Sequence, residues 1–206
     1  MFEAGRWCHV VLPLPELVMR VETDKPRLLE LSALMRLGVK GPRARASLAA
    51  AGIEAPTAPN HVALCEAGIF VAALSKSEFL LSGVPGVPTT AIVAFRQFLA
   101  RAPEETYLVE HAEALYCFGL TGAARQEVYA RLCAIDFDNP AAAPGRVLQT
   151  KLAHLSTIIL RCDDRAGSYD LVLGDVSYAT YMWRTLLDTV LHLGGDAMGI
   201  KVGGAS

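Results

Sequence analysis

The sequence has no long apolar run, no cysteine pair at ligand spacing and none of the glycine loops that hold phosphate. Its longest apolar stretches, such as Val10–Leu14 and Leu155–Leu160, fall far short of the roughly 20 residues that cross a bilayer, so no membrane-spanning helix is expected. Met1–Trp7 sets Glu3 beside Arg6 and lacks the basic start, apolar middle and small-residue cleavage site of an export signal, which predicts a cytoplasmic protein. An excess of one charge is missing too. With 19 Lys and Arg against 21 Asp and Glu, the net charge is −2, and no basic tract interleaves with aromatics, so nucleic acid is disfavoured as a partner. The five cysteines, Cys8, Cys65, Cys117, Cys133 and Cys162, contain no CxxC and read as reduced structural thiols, with Cys117 in an apolar strand and Cys133 on a helix face. A zinc or iron–sulfur site has no ligand spacing to support it.

Catalytic patterns are equally scarce. His9, His61, His111, His154 and His192 are scattered with no HxxxH or HxH pair, and GxSxG, GxxxxGK[ST] and GxGxxG are absent. Asp136–Phe137–Asp138, Asp163–Asp164 and Glu104–Glu105 are adjacent carboxylates whose side chains diverge in strand or loop geometry, so they read as turn or linker residues. Arg36, Lys40, Arg43 and Arg45 gather four cations around one strand-to-helix turn. They read first as a solvated helix start or a salt-bridging surface, with a phosphate site as the lesser alternative. No catalytic, cofactor-binding or metal-binding residue is therefore assigned.

What is present is apolar and repetitive. Hydrophobic residues make up 52% of the 206 and mean hydropathy is +0.33, which predicts apolar surface directed at a partner. An apolar strand ending in a glycine turn and opening a helix occurs twice, at Met35–Gly41 to Leu48 and at Leu115–Gly122 to Leu132, with the glycines 81 residues apart. Each unit continues into paired strands, Ile69–Leu74 with Phe79–Ser82 and Leu155–Arg161 with Tyr169–Leu173. Each then closes on a helix, Thr89–Arg101 and Tyr178–Leu193. A Pro/Ala-rich excursion at Asp136–Gly145 widens the second spacing, so Phe79 and Tyr169 stand 90 apart. Gly41 and Gly122 are expected in equivalent turns that a side chain would disturb. The repeat predicts an α+β fold of two similar, pseudo-twofold halves.

Along the chain, Phe2–Thr23 reads as an extended lead-in because Pro13 and Pro15 forbid a continuous helix, and Leu28–Val39 alternates imperfectly up to Gly41–Pro42. Arg43–Ala51 is a short helix stopped by Gly52, Ala55–Asn60 is a loop, and Thr89 or Thr90 is the cap of the following helix. Pro103–Thr106 links the halves. Cys162–Ser168 is read as a turn, and the glycine-rich tail is expected to be mobile beyond Ile200.

The order of these motifs is that of a known family. Leu31–Ser32, Arg36–Leu37–Gly38–Val39–Lys40–Gly41–Pro42–Arg43–Ala44 and Leu48 resemble the "DLS…hxVxGPDAxxFL" opening of the glycine-cleavage T-protein fold. Ser75–Leu81 resembles its "LGxDEFLL" hairpin and Tyr116–Ala124 its "YALLALQGPxA" turn. Asp170–Leu173 with Trp183, Leu186 and Leu187 resembles "GFEIYVP…LWDALL". Among shorter relatives, size and the wording at Lys40–Pro42 and Glu78–Leu81 are most similar to the gamma subunit family of heterotetrameric sarcosine oxidase. The resemblance implies a domain over 28–200, with halves of about 28–102 and 106–200, flanked by a lead-in at 1–27 and a tail at 201–206.

It also implies a non-catalytic gamma-type subunit with an assembly role in sarcosine catabolism or in the oxidation of another N-methyl amino acid. The implied partners are flavoprotein alpha and beta subunits and a small delta subunit, which would carry FAD, FMN, NAD, tetrahydrofolate and zinc, with none in this chain. Where the family's enzymes carry an Asp–Asp pair this chain has Cys65–Glu66–Ala67–Gly68, and where they carry Tyr-Thr-Gly-Glu it has Asp164–Arg165–Ala166–Gly167. A free-standing folate-binding protein or aminomethyltransferase is the alternative. It would need a carboxylate facing a pocket between the halves, for which Glu66 and Asp170 are the candidates.

Overall fold

Nearly continuous burial along the central strands builds two sheets covered on both faces. The computed structural model describes residues 24–101, 105–164 and 167–199. In chain order these form β1 (Arg27–Glu30), β2 (Arg36–Lys40), α1 (Ala44–Ala50), β3 (His61–Leu64), β4 (Ile69–Ala73), β5 (Glu78–Gly83) and α2 (Thr90–Leu99). There follow β6 (Tyr107–Glu110), β7 (Leu115–Thr121), α3 (Arg125–Leu132), β8 (Val147–Leu152), β9 (Leu155–Asp164), β10 (Gly167–Asp175), α4 (Ala179–His192) and β11 (Asp196–Gly199). One sheet runs β3-β4-β5-β2-β6 and the other β11-β1-β7-β10-β9-β8. All pairings are antiparallel except β1 with β11, which is parallel.

Period-two patterning sends each strand's residues into different cores. Leu37, Val39, Val71, Phe79 and Leu81 pack with Leu48, Ile92 and Phe95 beneath α1 and α2. Phe70, Ala72 and Leu80 meet Leu29, Cys117, Leu160, Leu171 and Leu173 in the layer where the sheets face each other. Leu28, Phe118, Leu120, Ile159 and Val172 pack with Val128, Met182, Leu186 and Val190 beneath α3 and α4. The arrangement is a four-layer stack of helices, sheet, sheet and helices, a mixed α/β fold.

The continuous strand expected over Leu28–Val39 is two strands in different sheets, because the chain turns at Leu31–Leu34 and crosses between layers. The crossing is held by Arg36, which is buried and donates to the carbonyls of Leu31, Ser32, Leu34, Ala112 and Leu115 at 2.6–3.5 Å. Of the remaining strands, β3, β6 and β8 occupy segments left unassigned and β11 lies in the glycine-rich tail. Cys162 lies inside β9 rather than in a turn, since antiparallel pairing with Tyr169 extends the hairpin. Cys133 is not on a helix face: its backbone is extended just past α3, where it bridges to Leu152. Thr89 takes the N-cap position of α2 without a side-chain cap bond. The lead-in over 1–23, residues 102–104 of the linker and the tail over 201–206 lie outside the described residues.

Candidate functional site

Asp170 is the one buried carboxylate among the described residues. In β10, Tyr169, Leu171 and Leu173 face the opposite sheet, so alternation turns Asp170 and Val172 toward α3 and α4. Asp170 stands opposite Arg161 in the β9–β10 register, and Arg161 Nε donates to its Oδ1 at 2.7 Å. From the first turn of α3, Arg125 Nε reaches Oδ2 at 3.3 Å and Arg125 also donates to the Gly122 carbonyl at 3.0 Å. Arg161 donates as well to the carbonyl of Ala142 and lies 5.1 Å over the Phe137 ring, which stacks on Tyr129 at 4.3 Å.

Burial raises the carboxyl pKa of Asp170, while the guanidinium groups of Arg161 and Arg125 pull it back toward the ionised form. Two cations on one anion in an apolar shell form a clamp that ties β9, β10, α3 and the 136–145 excursion together. Asp170 therefore does not face a pocket between the halves, as the folate-binding alternative requires. Glu66 is exposed in the β3–β4 turn, whereas Asp170 is buried beneath α3 and α4.

The four cations at the first turn also separate. Arg36 is spent on the five carbonyls of the crossing, and Arg45 donates to the carbonyls of Ala55, Pro56 and Thr57 while stacking 4.8 Å over Phe79. Lys40 and Arg43 remain exposed. No phosphate cradle forms there. Asp136 and Asp138 make a local turn through the Asp138 N–H and the Asp136 carboxylate at 2.9 Å. Asp163 and Asp164 accept from Ser168 and Tyr169 across the β9–β10 hairpin at 3.2 and 2.9 Å.

Of the thiols, Cys117 is fully buried and its pKa is pushed up to about 12, chiefly by burial. His61 contacts Arg146 where β3 meets the 144–146 loop, and burial lowers the pKa of His111. An open groove of 580 Å³ on the second sheet is lined by Leu115, Gln149, Lys151, Ile158, Leu173 and Asp175 among others. Its ionic groups are one lysine and one aspartate, without histidine or cysteine. Among the described residues no three His, Cys, Asp or Glu side chains gather as a metal would require.

No protein-family model matches the chain, and no curated protein matches it. Solved structures do. One is a chain of heterotetrameric sarcosine oxidase from Corynebacterium sp. U-96, in complex with pyrrole 2-carboxylate. It is 21% identical with a TM-score of 0.67, over 92% of this chain and 95% of that one. Another is glycine cleavage system aminomethyltransferase T from Bartonella henselae, 14% identical with a TM-score of 0.62, over 89% of this chain. The fold is T-protein-like. The chain spans 50% of the aminomethyltransferase's length, and no helix among the described residues is long and apolar enough to cross a membrane.

Sequence reasoning missed Arg125 and Arg161 as partners of Asp170, and Arg36 as the brace of the crossing. A signal was available: Arg161 falls between the apolar Ile158–Leu160 and Cys162, and Asp170 interrupts an apolar strand paired with it. Opposite charges breaking two neighbouring apolar strands mark a buried ion pair.

Proposed function

We propose that this chain is a non-catalytic, gamma-type subunit of a heterotetrameric sarcosine oxidase or of a related N-methyl amino acid oxidoreductase. The observation that carries the reading is reciprocal coverage: the fold accounts for nearly all of a chain taken from such an assembly and for only half of an aminomethyltransferase. Asp170 adds to it. A carboxylate held by the buried Arg161 and the partly buried Arg125 on the helix-covered side of a sheet is poorly placed to meet the amine of a ligand, and Glu66 projects from an exposed turn. In this reading the chain supplies contact surface. Flavoprotein alpha and beta subunits and a small delta subunit carry FAD, FMN, NAD, tetrahydrofolate and zinc, and the complex works in the cytoplasm.

The same proposal treats 28–102 and 106–200 as two copies of one unit. In support, the orders β3-β4-β5-β2-β6 and β8-β9-β10-β7-β1 correspond strand for strand, and Gly41 and Gly122 occupy matching turns. The test is co-expression of the full chain with the flavoprotein subunits, followed by size-exclusion chromatography with light scattering and a visible spectrum. The expected result is a stoichiometric complex, with the isolated chain colourless. Flavin bound to the isolated chain, or a monomer that ignores the flavoproteins and takes up tetrahydrofolate, overturns the reading.

A further inference from the structure

Two strands hold the same place in the two sheets, and among the described residues only one of them has a further strand on its outer edge. β1 lies antiparallel to β7 with Leu28 opposite Leu120 and Leu29 opposite Gly119. β6 lies antiparallel to β2 with Leu108 opposite Val39 and Val109 opposite Gly38. Their sequences run Leu28–Leu29–Glu30 and Leu108–Val109–Glu110. The outer edge of β1 is taken by β11, which runs parallel to it and is fastened at its start by Asp196 on Arg27, through both Nε and Nη2 of the guanidinium. Leu28 is accordingly 0% exposed. Among the described residues β6 ends its sheet, and there Leu108 is 36% and Tyr107 58% exposed.

An uncovered strand edge offers backbone donors and acceptors to any extended chain, and soluble proteins usually blunt it with charge, proline or a bulge. β6 has no proline and no bulge, and its single charge, Glu110, stands at its far end and is paired with Arg96. We propose that β6 receives an extended segment of a partner subunit, apolar at alternate positions and led by a carboxylate, which adds to the sheet in parallel as β11 adds to β1. This rests on the subunit reading above and names the surface that serves it.

The chemistry of the occupant follows from β11 and from charge. At the end of β6 equivalent to Arg27, Tyr107 stands opposite Lys40, and both Lys40 and Arg43 there are exposed with no ion pair among the described residues. Tyr107 stands where Arg27 does, and Lys40 lies one strand further in on β2, so a carboxylate at the start of the incoming strand would meet the lysine across Tyr107 rather than directly as Asp196 meets Arg27. Main-chain bonds would supply affinity, and alternate side chains register. A four-residue strand alone buries less than the roughly 1,000 Å² of a stable interface. The exposed Val93 and Phe98 of α2, a helix joined to β6 by the Arg96–Glu110 ion pair at 2.8 Å, provide adjoining apolar surface.

The test places p-benzoylphenylalanine at the exposed Tyr107 position of the full chain, co-expressed with the flavoprotein subunits. Irradiation of the purified complex is expected to join this position to an extended segment of another subunit, with Asp or Glu at its amino-terminal end. Hydrogen exchange over 107–110 is expected to slow by at least about tenfold in the complex relative to the free chain. Leu108→Lys, at a position already exposed, is expected to keep the parent's melting temperature and lower incorporation by about tenfold or more. If the complex forms while the crosslink is absent, or reaches only this chain or a second copy of it, the strand-addition proposal is overturned and the subunit reading stands. Leu108→Lys incorporating like the parent overturns it in the same way. If the chain enters no complex, both fall.

Discussion

Alanine at Gly41 or Gly122 should destabilise this protein far more than alanine at Gly52, although all three glycines end or begin a helix at positive φ. At Gly52 φ is +73° and an added Cβ meets nothing within 4 Å, so only the left-handed backbone is penalised, by about 1 kcal/mol. At Gly41 φ is +127° and an added Cβ would clash with the carbonyl oxygen of Glu105; at Gly122 φ is +92° and it would clash with that of Lys25. Neither oxygen can swing aside. The Glu105 carbonyl accepts from the Arg43 N–H at 3.4 Å, and the Asp24 carbonyl beside Lys25 accepts from the Ala124 N–H at 3.0 Å, so the approaching segments are tied to the turns they overlap. Displacing packed backbone costs about 1–3 kcal/mol beyond the conformational penalty. Gly41→Ala and Gly122→Ala should thus lose about 2–4 kcal/mol each. At roughly 2–4 °C per kcal/mol for a chain of this size, about 3 kcal/mol lowers Tm by about 6–12 °C. Urea denaturation and thermal melts of the three variants decide it, and Gly41→Ala or Gly122→Ala melting with Gly52→Ala would refute the reasoning.

Asp170→Ala leaves Arg161 buried without its counter-ion and should cost about 3–5 kcal/mol in urea unfolding; a loss under about 1 kcal/mol would show the clamp to be dispensable. Arg36→Lys should fail to rescue the loss caused by Arg36→Met, because an ammonium has three donors where Arg36 serves five carbonyls. His154, at φ +70° in the two-residue β8–β9 turn, should gain about 0.5–1 kcal/mol on replacement by glycine, read as a higher denaturation midpoint. Burial lowers the pKa of His111 below its ordinary 6.5, so the folded state binds its proton less readily than the unfolded one. Its contribution is fully present above pH 6.5 and falls as pH drops toward the folded value, so Tm should decline between pH 7.5 and 5.5, less steeply in His111→Gln. Cys117, with its thiol pushed up to about 12, should resist iodoacetamide until the chain is unfolded, as mass spectrometry of native and denatured samples would reveal.

Long periodic elements were legible in the sequence. The closing helices read at Thr89–Arg101 and Tyr178–Leu193 match α2 and α4 within a residue or two, and the apolar cores of β4, β5, β7, β9 and β10 stood out as well. The strands that escaped notice are short and form by pairing rather than propensity. Tyr107–Glu110 is exposed on an edge and shows no clean alternation, and Asp196–Gly199 has weak β formers that β1 holds in place. Asp170 stood out as a candidate carboxylate. Its role did not, because the side chains that determine it, Arg125 and Arg161, lie 45 and 9 residues away and meet it only through sheet register and helix docking.

The sheets also differ in when they can be completed during synthesis. Every strand of β3-β4-β5-β2-β6 lies between Arg36 and Glu110, whereas its neighbour starts with Arg27–Glu30 and waits for Leu115–Gly199. On the ribosome the first sheet can close while β1 is still unpaired on both edges, its Leu28 and Leu29 open to solvent or chaperone until Leu120 emerges. The Arg27–Asp196 pair, 169 residues apart in sequence, forms last. Contacts of such separation fold slowly, so a translational pause after residue 110 would hold the chain as a half-built sandwich with β1 unsatisfied, the state in which this protein is most exposed to aggregation.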